Sequence, residues 1–276
     1  MDLLTKIINE KIPCYFISPH LDDAIFSAGG LINYLSDKTK VTIITVFTKA
    51  GPKPYTRFCK KFMKDCGFSD ADIFFRERRS EDIEVCKSLG INFTHLGFAD
   101  VAWRKKENPS FFEKTLGTII PEFLHLYPLG RNFMSGKVVK DDGDLIKTIK
   151  NKLSSVILNL VQDLNSKKQM PKQVRHDNFI VFCPLAIGNH VDHIIVRNIC
   201  AEIFPLEKLI FWTDFPYINW GNTAEGFIKK MKLRSFTWNK NLEKKRELLL
   251  GFKTQIPALF PKSLPENLPE VYYLKF

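Results

Sequence analysis

The stretch from Ile12 to Gly30, IPCYFISPHLDDAIFSAGG, constrains this chain more than any other. An apolar run from Ile12 to Ile17 reads as a buried strand, Ser18-Pro19 ends it, and His20, Asp22 and Asp23 arrive where a following helix begins. Adjacent carboxylates repel unless a cation or a proton lies between them, so three ionisable groups within four positions exceed what a turn requires. A metal ion is the simplest such cation. His20 and Asp23 can point into one crevice from the strand end and the first helical turn, which leaves Asp22 free and requires a further ligand from elsewhere.

A second cluster supplies candidates for that ligand. Residues 178–184 (NFIVFCP) again read as a buried strand, 188–193 read Gly-Asn-His-Val-Asp-His, and 192–204 continue with the helical spacing of Ile195, Ile199 and Ile203. Both clusters therefore follow a strand and precede a helix. In an open parallel sheet, ligands bind in the crevice beyond the carboxyl ends of the strands, so the two can converge there although they lie some 170 residues apart. Gly29-Gly30 after the first cluster read as a close helix-packing pair, because no phosphate-binding glycine fingerprint accompanies them.

PHLDD followed by AGG, with HVDH far downstream, resembles the two signature motifs of the PIG-L/LmbE family of zinc-dependent de-N-acetylases. That family's first motif usually reads His-Pro-Asp-Asp-Glu; here Leu21 and Ala24 stand at the second and fifth places, as in a bacterial subset. The resemblance implies removal of an acetyl group from an N-acetylglucosamine-type sugar or conjugate. It also implies an α/β fold: a Rossmann-like three-layer sandwich with a mostly parallel central sheet. One domain is expected over residues 1–276, with a variable insert at about 103–150.

Amide hydrolysis needs an activated water and a stabilised oxyanion, and a three-ligand zinc with an open fourth position supplies both. The expected ligands are His20, Asp23 and His193, with Fe2+ as the alternative metal. A metal-bound water has its pKa lowered towards ~7, so a nearby carboxylate can take its proton, and Asp22 is the candidate base. His190 is expected beside the metal as an imidazolium that stabilises the oxyanion or protonates the leaving amine, and Asp192 as the acceptor that orients a histidine. The resemblance further implies that Arg78, in Arg-x-x-Glu ahead of Leu89-Gly90, holds the sugar; the plain alternative is an exposed Arg78–Glu81 helix pair. Asp100 in LGFAD is either a hydrogen-bond acceptor for sugar hydroxyls or a cap. Asp214 and Tyr217, in WTDFPY after a strand at 208–213, are either beside the sugar or parts of a turn. Two other readings remain open: a metal-dependent phosphoesterase, and a metal-free sugar-binding derivative of the fold.

The remaining chain is read as a strand at 40–48, a basic aromatic segment at 55–75 expected as a helix that rims the crevice, a helix at 77–90, a strand at 91–97 and a helix at 144–165 with Leu145, Ile149, Leu153 and Ile157 inward. A surface helix at 240–252 and a last, edge strand at 270–275 follow. The hydrophobic fraction of 45% suffices for a large core. The six cysteines form no CxxC pair and read as core residues of a reducing compartment. The start, MDLLTKIINEK, lacks an apolar signal region and no run approaches the ~20 residues of a bilayer span, so a cytoplasmic protein is expected. The 41 basic residues against 30 acidic give a net charge of +11, in clusters at 76–79, 104–106, 167–172 and 240–246. They are read as a solvated surface. The partner expected is a small-molecule N-acetyl sugar or glycoconjugate, with no nucleic acid and with peripheral contact to a lipid-linked substrate as the minority reading.

Overall fold

The computed structural model describes residues 3–166, 178–220, 223–265 and 268–275; the basic run at 167–172 lies outside the described residues. Helix α1 (Leu3–Asn9) leads into β1 (Cys14–Ser18), α2 (Asp23–Ser36) and β2 (Val41–Lys49). Helices α3 (Arg57–Asp65) and α4 (Ala71–Ser88) then precede β3 (Asn92–Ala99). The aromatic segment at 55–75 is thus split between two helices. Gly67 takes φ +85°, and the Asp70 carboxylate caps the N–H groups of Asp72 and Ile73, which starts α4 well before residue 77.

Between β3 and the long α7 (Gly143–Ser166), short helices α5 (Phe111–Gly117) and α6 (Gly130–Phe133) alternate with 3-10 turns at Val101–Trp103, Pro121–Leu124 and Lys140–Asp142. The chain closes with β4 (Ile180–Pro184), α8 (Val191–Ile203), β5 (Leu209–Trp212), α9 (Glu225–Met231), β6 (Arg234–Trp238), α10 (Leu242–Leu249), α11 (Ile256–Leu259) and β7 (Glu270–Leu274).

The seven strands form one sheet in the order β3-β2-β1-β4-β5-β7-β6. The first five are mutually parallel, whereas β7 runs antiparallel to both β5 and β6. Residues 270–274 are therefore interior, and the edge is β6, a strand the sequence hides because Arg234 and Ser235 are exposed and its alternation is weak. Apolar residues on β1 alternate between the faces: Tyr15 and Ile17 join a core with α7 and α8, while Cys14 and Phe16 join one with α2 and α10. Phe16 stacks on Phe182 of β4 at 4.3 Å, and a fully buried ring of this size stabilises by about 1.5–3 kcal/mol. Two cores on two sheet faces make a three-layer α/β sandwich. Connections leave β1 towards β2 and β3, then return to β4 on its other side, so the order reverses between β1 and β4.

Candidate active site

Both clusters lie at that reversal. Ser18 fixes the exit from β1, since its Oγ donates to the carbonyl of His20 and accepts from the N–H of Ala24. Asp22 stands at the N-cap of α2 with no side-chain capping bond, so its carboxylate is turned to the crevice, 3.4 Å from Nη2 of Arg78. One oxygen of Asp23 accepts from the His20 N–H at 2.8 Å and lies 3.0 Å from its Nδ1. The same oxygen is 3.2 Å from Nε2 of His193, which sits on the first turn of α8. His190, the N-cap of α8, brings its ring to 5.0 Å from those of both His20 and His193. The backbone path into α8 depends on Gly188, with φ +84°; a Cβ there would meet the Cβ of Tyr217 at 2.7 Å.

Each inner histidine is gripped from behind. Asp214 places one oxygen 2.6 Å from Nδ1 of His193 and accepts the Ile187 N–H on the other. This fully buried aspartate stands behind His193 rather than on the crevice wall, where a sugar contact was expected. Asp192 lies 3.1 Å from Nε2 of His20 and accepts the Val101 N–H, and its second oxygen is 2.7 Å from the Arg104 guanidinium. Arg104 also approaches Asp142 at 3.4 Å, and Asp142 accepts the hydroxyl of Tyr127. Arg104, expected in a solvated basic cluster, is only 4% exposed. No signal marks it in the sequence beyond its position just after Asp100.

Arg78 is buried too, with its guanidinium over the rings of Phe74 and Phe75, and Glu81 instead accepts from Thr254. The exposed Arg78–Glu81 pair is therefore absent. Asp100 caps the turn at Ala102, one of its two expected roles, and lies 3.6 Å from Nε2 of His20. Tyr217 sets its ring 5.1 Å from that of His193. These groups line a cavity of about 300 Å³ whose polar floor is His20, Asp22, Asp23, Arg78, Asp100 and His190. Its walls are apolar: Phe58 and Phe62 of α3, Trp103, Phe133 and Met134, and Leu259 of α11. Phe58 and Phe62 fall in the 55–75 segment expected to rim the crevice, whereas Trp103, Phe133, Met134 and Leu259 were not foreseen, since such residues look like ordinary core.

The electrostatics separate the two adjacent aspartates. Burial pushes the Asp22 carboxyl up to about 6 against the pull of Arg78. Burial also disfavours a charged Asp23, but His193 and His20 outweigh it and hold that carboxyl well below the ordinary range. For His193, burial is outweighed by the Asp23 and Asp214 carboxylates, which lift the imidazole to about 9. Arg104 and His20 overcome burial to bring Asp192 down to about 2. Burial, together with charge on His193 and His20, pushes His190 well below its usual value. That direction runs against the imidazolium expected from the sequence, since burial and the neighbouring rings oppose a further positive charge there.

The donor set fits a divalent metal. Ring nitrogens of His20, His190 and His193 lie within 4.8 Å of one another, and Nδ1 of His190 is buried without a hydrogen-bond partner. Two imidazoles sharing one carboxylate, each oriented from behind by a further aspartate, suit zinc or Fe2+.

Comparison with known proteins places this geometry. The family described as GlcNAc-PI de-N-acetylase, PIG-L, matches residues 15–204. The 2'-N-acetylparomamine deacetylase of Streptomyces fradiae is 22% identical over 207 residues, which cover 73% of this chain and 56% of that relative. Among solved structures, a deacetylase–bog complex from the teicoplanin biosynthesis pathway superposes with a TM-score of 0.67 at 21% identity, covering 95% of this chain and 96% of that one. The zinc-inhibited form of teicoplanin deacetylase Orf2 gives 0.65 at 20% identity over 95% and 97%. The A40926 pseudoaglycone deacetylase Dbv21 gives 0.62 at 21% identity over 96% and 97%. These structures share the fold. The family match runs from β1 through α8 and so takes in both clusters that build the crevice; the chain belongs to the PIG-L family of de-N-acetylases.

Proposed function

We propose that this chain is a metal-dependent hydrolase that removes the N-acetyl group from an N-acetylglucosamine-type sugar or sugar conjugate. One observation carries the reading: Asp23 stands between His20 and His193 across the β1/β4 switch point, with the Asp22 carboxylate beside it and committed to no cap. His20, Asp23 and His193 would hold the metal, which supplies Lewis acidity to the water and the amide carbonyl. Asp22 takes the proton as water adds to the carbonyl carbon, and its position near pH 6 suits a base working around neutrality. The neutral His190 donates its ring N–H to the developing oxyanion. The proton then passes to the nitrogen as the C–N bond breaks, giving acetate and a free amine. Arg78, Asp100 and Tyr217 hold the sugar, while Asp192 and Asp214 fix the tautomers of His20 and His193.

The deacetylase relatives named above, one acting on N-acetylparomamine and others in the teicoplanin pathway, support an amino-sugar substrate. One structural neighbour is a zinc-inhibited form, which makes titration with both Zn2+ and Fe2+ part of the test. Metal per chain is measured for the wild type, His20→Ala and His193→Ala, followed by acetate release from N-acetyl sugars. Near-stoichiometric metal lost in both variants, with metal-dependent acetate release, supports the proposal. Phosphate release from phosphate esters instead would favour the phosphoesterase reading, and sugar binding indifferent to chelator would favour a binding module.

A further inference from the structure

The segment between β3 and α7 exposes apolar side chains that no core uses. Phe111 is 87% exposed, Phe112 65% and Ile119 80%, with Ile120, Phe123 and Leu129 also open to solvent. They belong to one local unit. Phe112 and Phe123 pack edge to face at 6.3 Å, the Ile119 and Ile120 N–H groups bond back to Leu116, and Gly117 sits against Leu124. Scattered exposed apolar residues are ordinary on any protein surface, but a cluster of this kind marks a surface that meets something apolar.

Its surroundings point to the partner. On α3, Arg57, Lys60, Lys61 and Lys64 follow the i, i+3, i+4, i+7 spacing of one helical face, and all four are exposed. Phe58 and Phe62 lie on another face of α3 and line the cavity. The Arg57 N–H bonds Glu122, in the same 3-10 turn as Phe123, so the cationic face adjoins the apolar cluster. Beyond the buried Arg104, residues 105–137 carry five Lys and Arg against three Glu, with Glu113 paired to Lys106, and on α3 Asp65 is paired to Lys61. Exposed aromatic and aliphatic tips beside a basic face are the two signals that seat a protein on an anionic bilayer, the tips entering the acyl boundary and the cations meeting the headgroups. No helix among the described residues is long and apolar enough to cross a membrane.

We propose that α3 and the α5 unit form a docking surface for an anionic membrane, which holds the cavity beside the lipid headgroups. A second copy of the chain would cover the apolar tips but repel the +11 net charge, whereas an anionic surface answers both features. The inference concerns where the protein sits and stands apart from the reaction proposed above.

Sedimentation with phosphatidylcholine vesicles, with and without phosphatidylglycerol, tests it. Wild-type protein is expected to bind the phosphatidylglycerol vesicles, to bind pure phosphatidylcholine less, and to be released by salt. Phe111→Ser/Phe112→Ser should weaken binding by about tenfold or more, and Lys60→Glu/Lys64→Glu should remove the salt-sensitive part. Both double variants alter exposed side chains and should keep the wild-type thermal midpoint. Absence of binding to phosphatidylglycerol vesicles, or equal binding by the phenylalanine variant, would overturn the proposal. So would a wild-type dimer, seen by light scattering, that the phenylalanine variant converts to monomer.

Discussion

At the crevice, two neighbouring aspartates with the same side chain are given different work by their surroundings. Asp23 is charged because two imidazoles press on it, while burial leaves Asp22 near pH 6 against the pull of Arg78. Asp22→Asn should therefore keep metal at the wild-type ratio while turnover falls by about 10²–10⁴-fold, checked by elemental analysis beside acetate release. Full activity in that variant would remove Asp22 from the role of base. Arg104→Met leaves the Asp192 carboxylate buried without its cation, which should cost about 3–5 kcal/mol in urea unfolding. Through Asp192 it also loosens His20, so metal affinity should drop by about 10–100-fold. The sequence displayed the residues that meet in the crevice, since carboxylates and histidines crowded after a strand repel one another and serve a simple turn poorly. It did not display what stands behind them. Arg104 lies in an Arg-Lys-Lys run, and a run of like charges does not say which member turns inward.

Lys245 repeats that lesson at the scale of elements. Helix α10 was expected to lie on the surface, yet Lys245 is 1% exposed and lies 3.2 Å from Glu270 on β7. Glu270 also accepts the N–H groups of Gly30 and Leu31 in the middle of α2 and the hydroxyl of Tyr272. One carboxylate thus joins a helix, a strand and a second helix, and a Cβ on Gly30 would press to 2.9 Å from the carbonyl of Lys240. Glu270→Ala should cost about 3–5 kcal/mol, most of it from stranding the Lys245 ammonium. Adding Lys245→Met to Glu270→Gln should recover part of the loss in a double-mutant cycle. The order of strands and helices was readable from apolar runs, whereas the position of β7 inside the sheet was not, because pairing with β6 depends on a strand whose residues are mostly exposed. Helix α5 carries a pH dependence of its own. Lys106 and the Ser110 cap hold the Glu113 carboxyl down at about 2. The stabilisation Glu113 lends is therefore present above its ordinary value near 4.5 and is lost as pH falls through about 2. Protection of the α5 amides relative to their intrinsic exchange rates should fall between pH 5 and roughly 2 in the wild type and change less in Glu113→Gln, with high salt blunting the difference because the pair is only partly buried.

Over the whole molecule, the sheet order decides where chemistry can occur. Two short motifs far apart in sequence meet because the chain turns outward from β1 in one direction and later resumes on its other side. The motifs themselves made that meeting legible, and the parallel strands were legible as apolar runs. Of the cavity walls only α3 was, as part of an aromatic segment expected to rim the crevice; α6 and α11 were not, because they are short elements whose side chains carry no periodic signal that separates a wall from a core. Truncating one wall by Phe133→Ala, which also removes the ring 5.5 Å from His190, should raise KM for a bulky apolar N-acetyl conjugate more than for a small N-acetyl sugar, measured by paired kinetics.

The carboxylate of Asp23 meets imidazoles from both sides of the β1/β4 seam. Synthesis delivers His20, Asp22, Asp23, Arg78 and Asp100 long before His193 leaves the ribosome. A growing chain therefore carries the carboxylate and one imidazole with nothing to close around them. The crevice waits for the docking of β4, and a chain cut short before residue 193 lacks the second imidazole that meets Asp23.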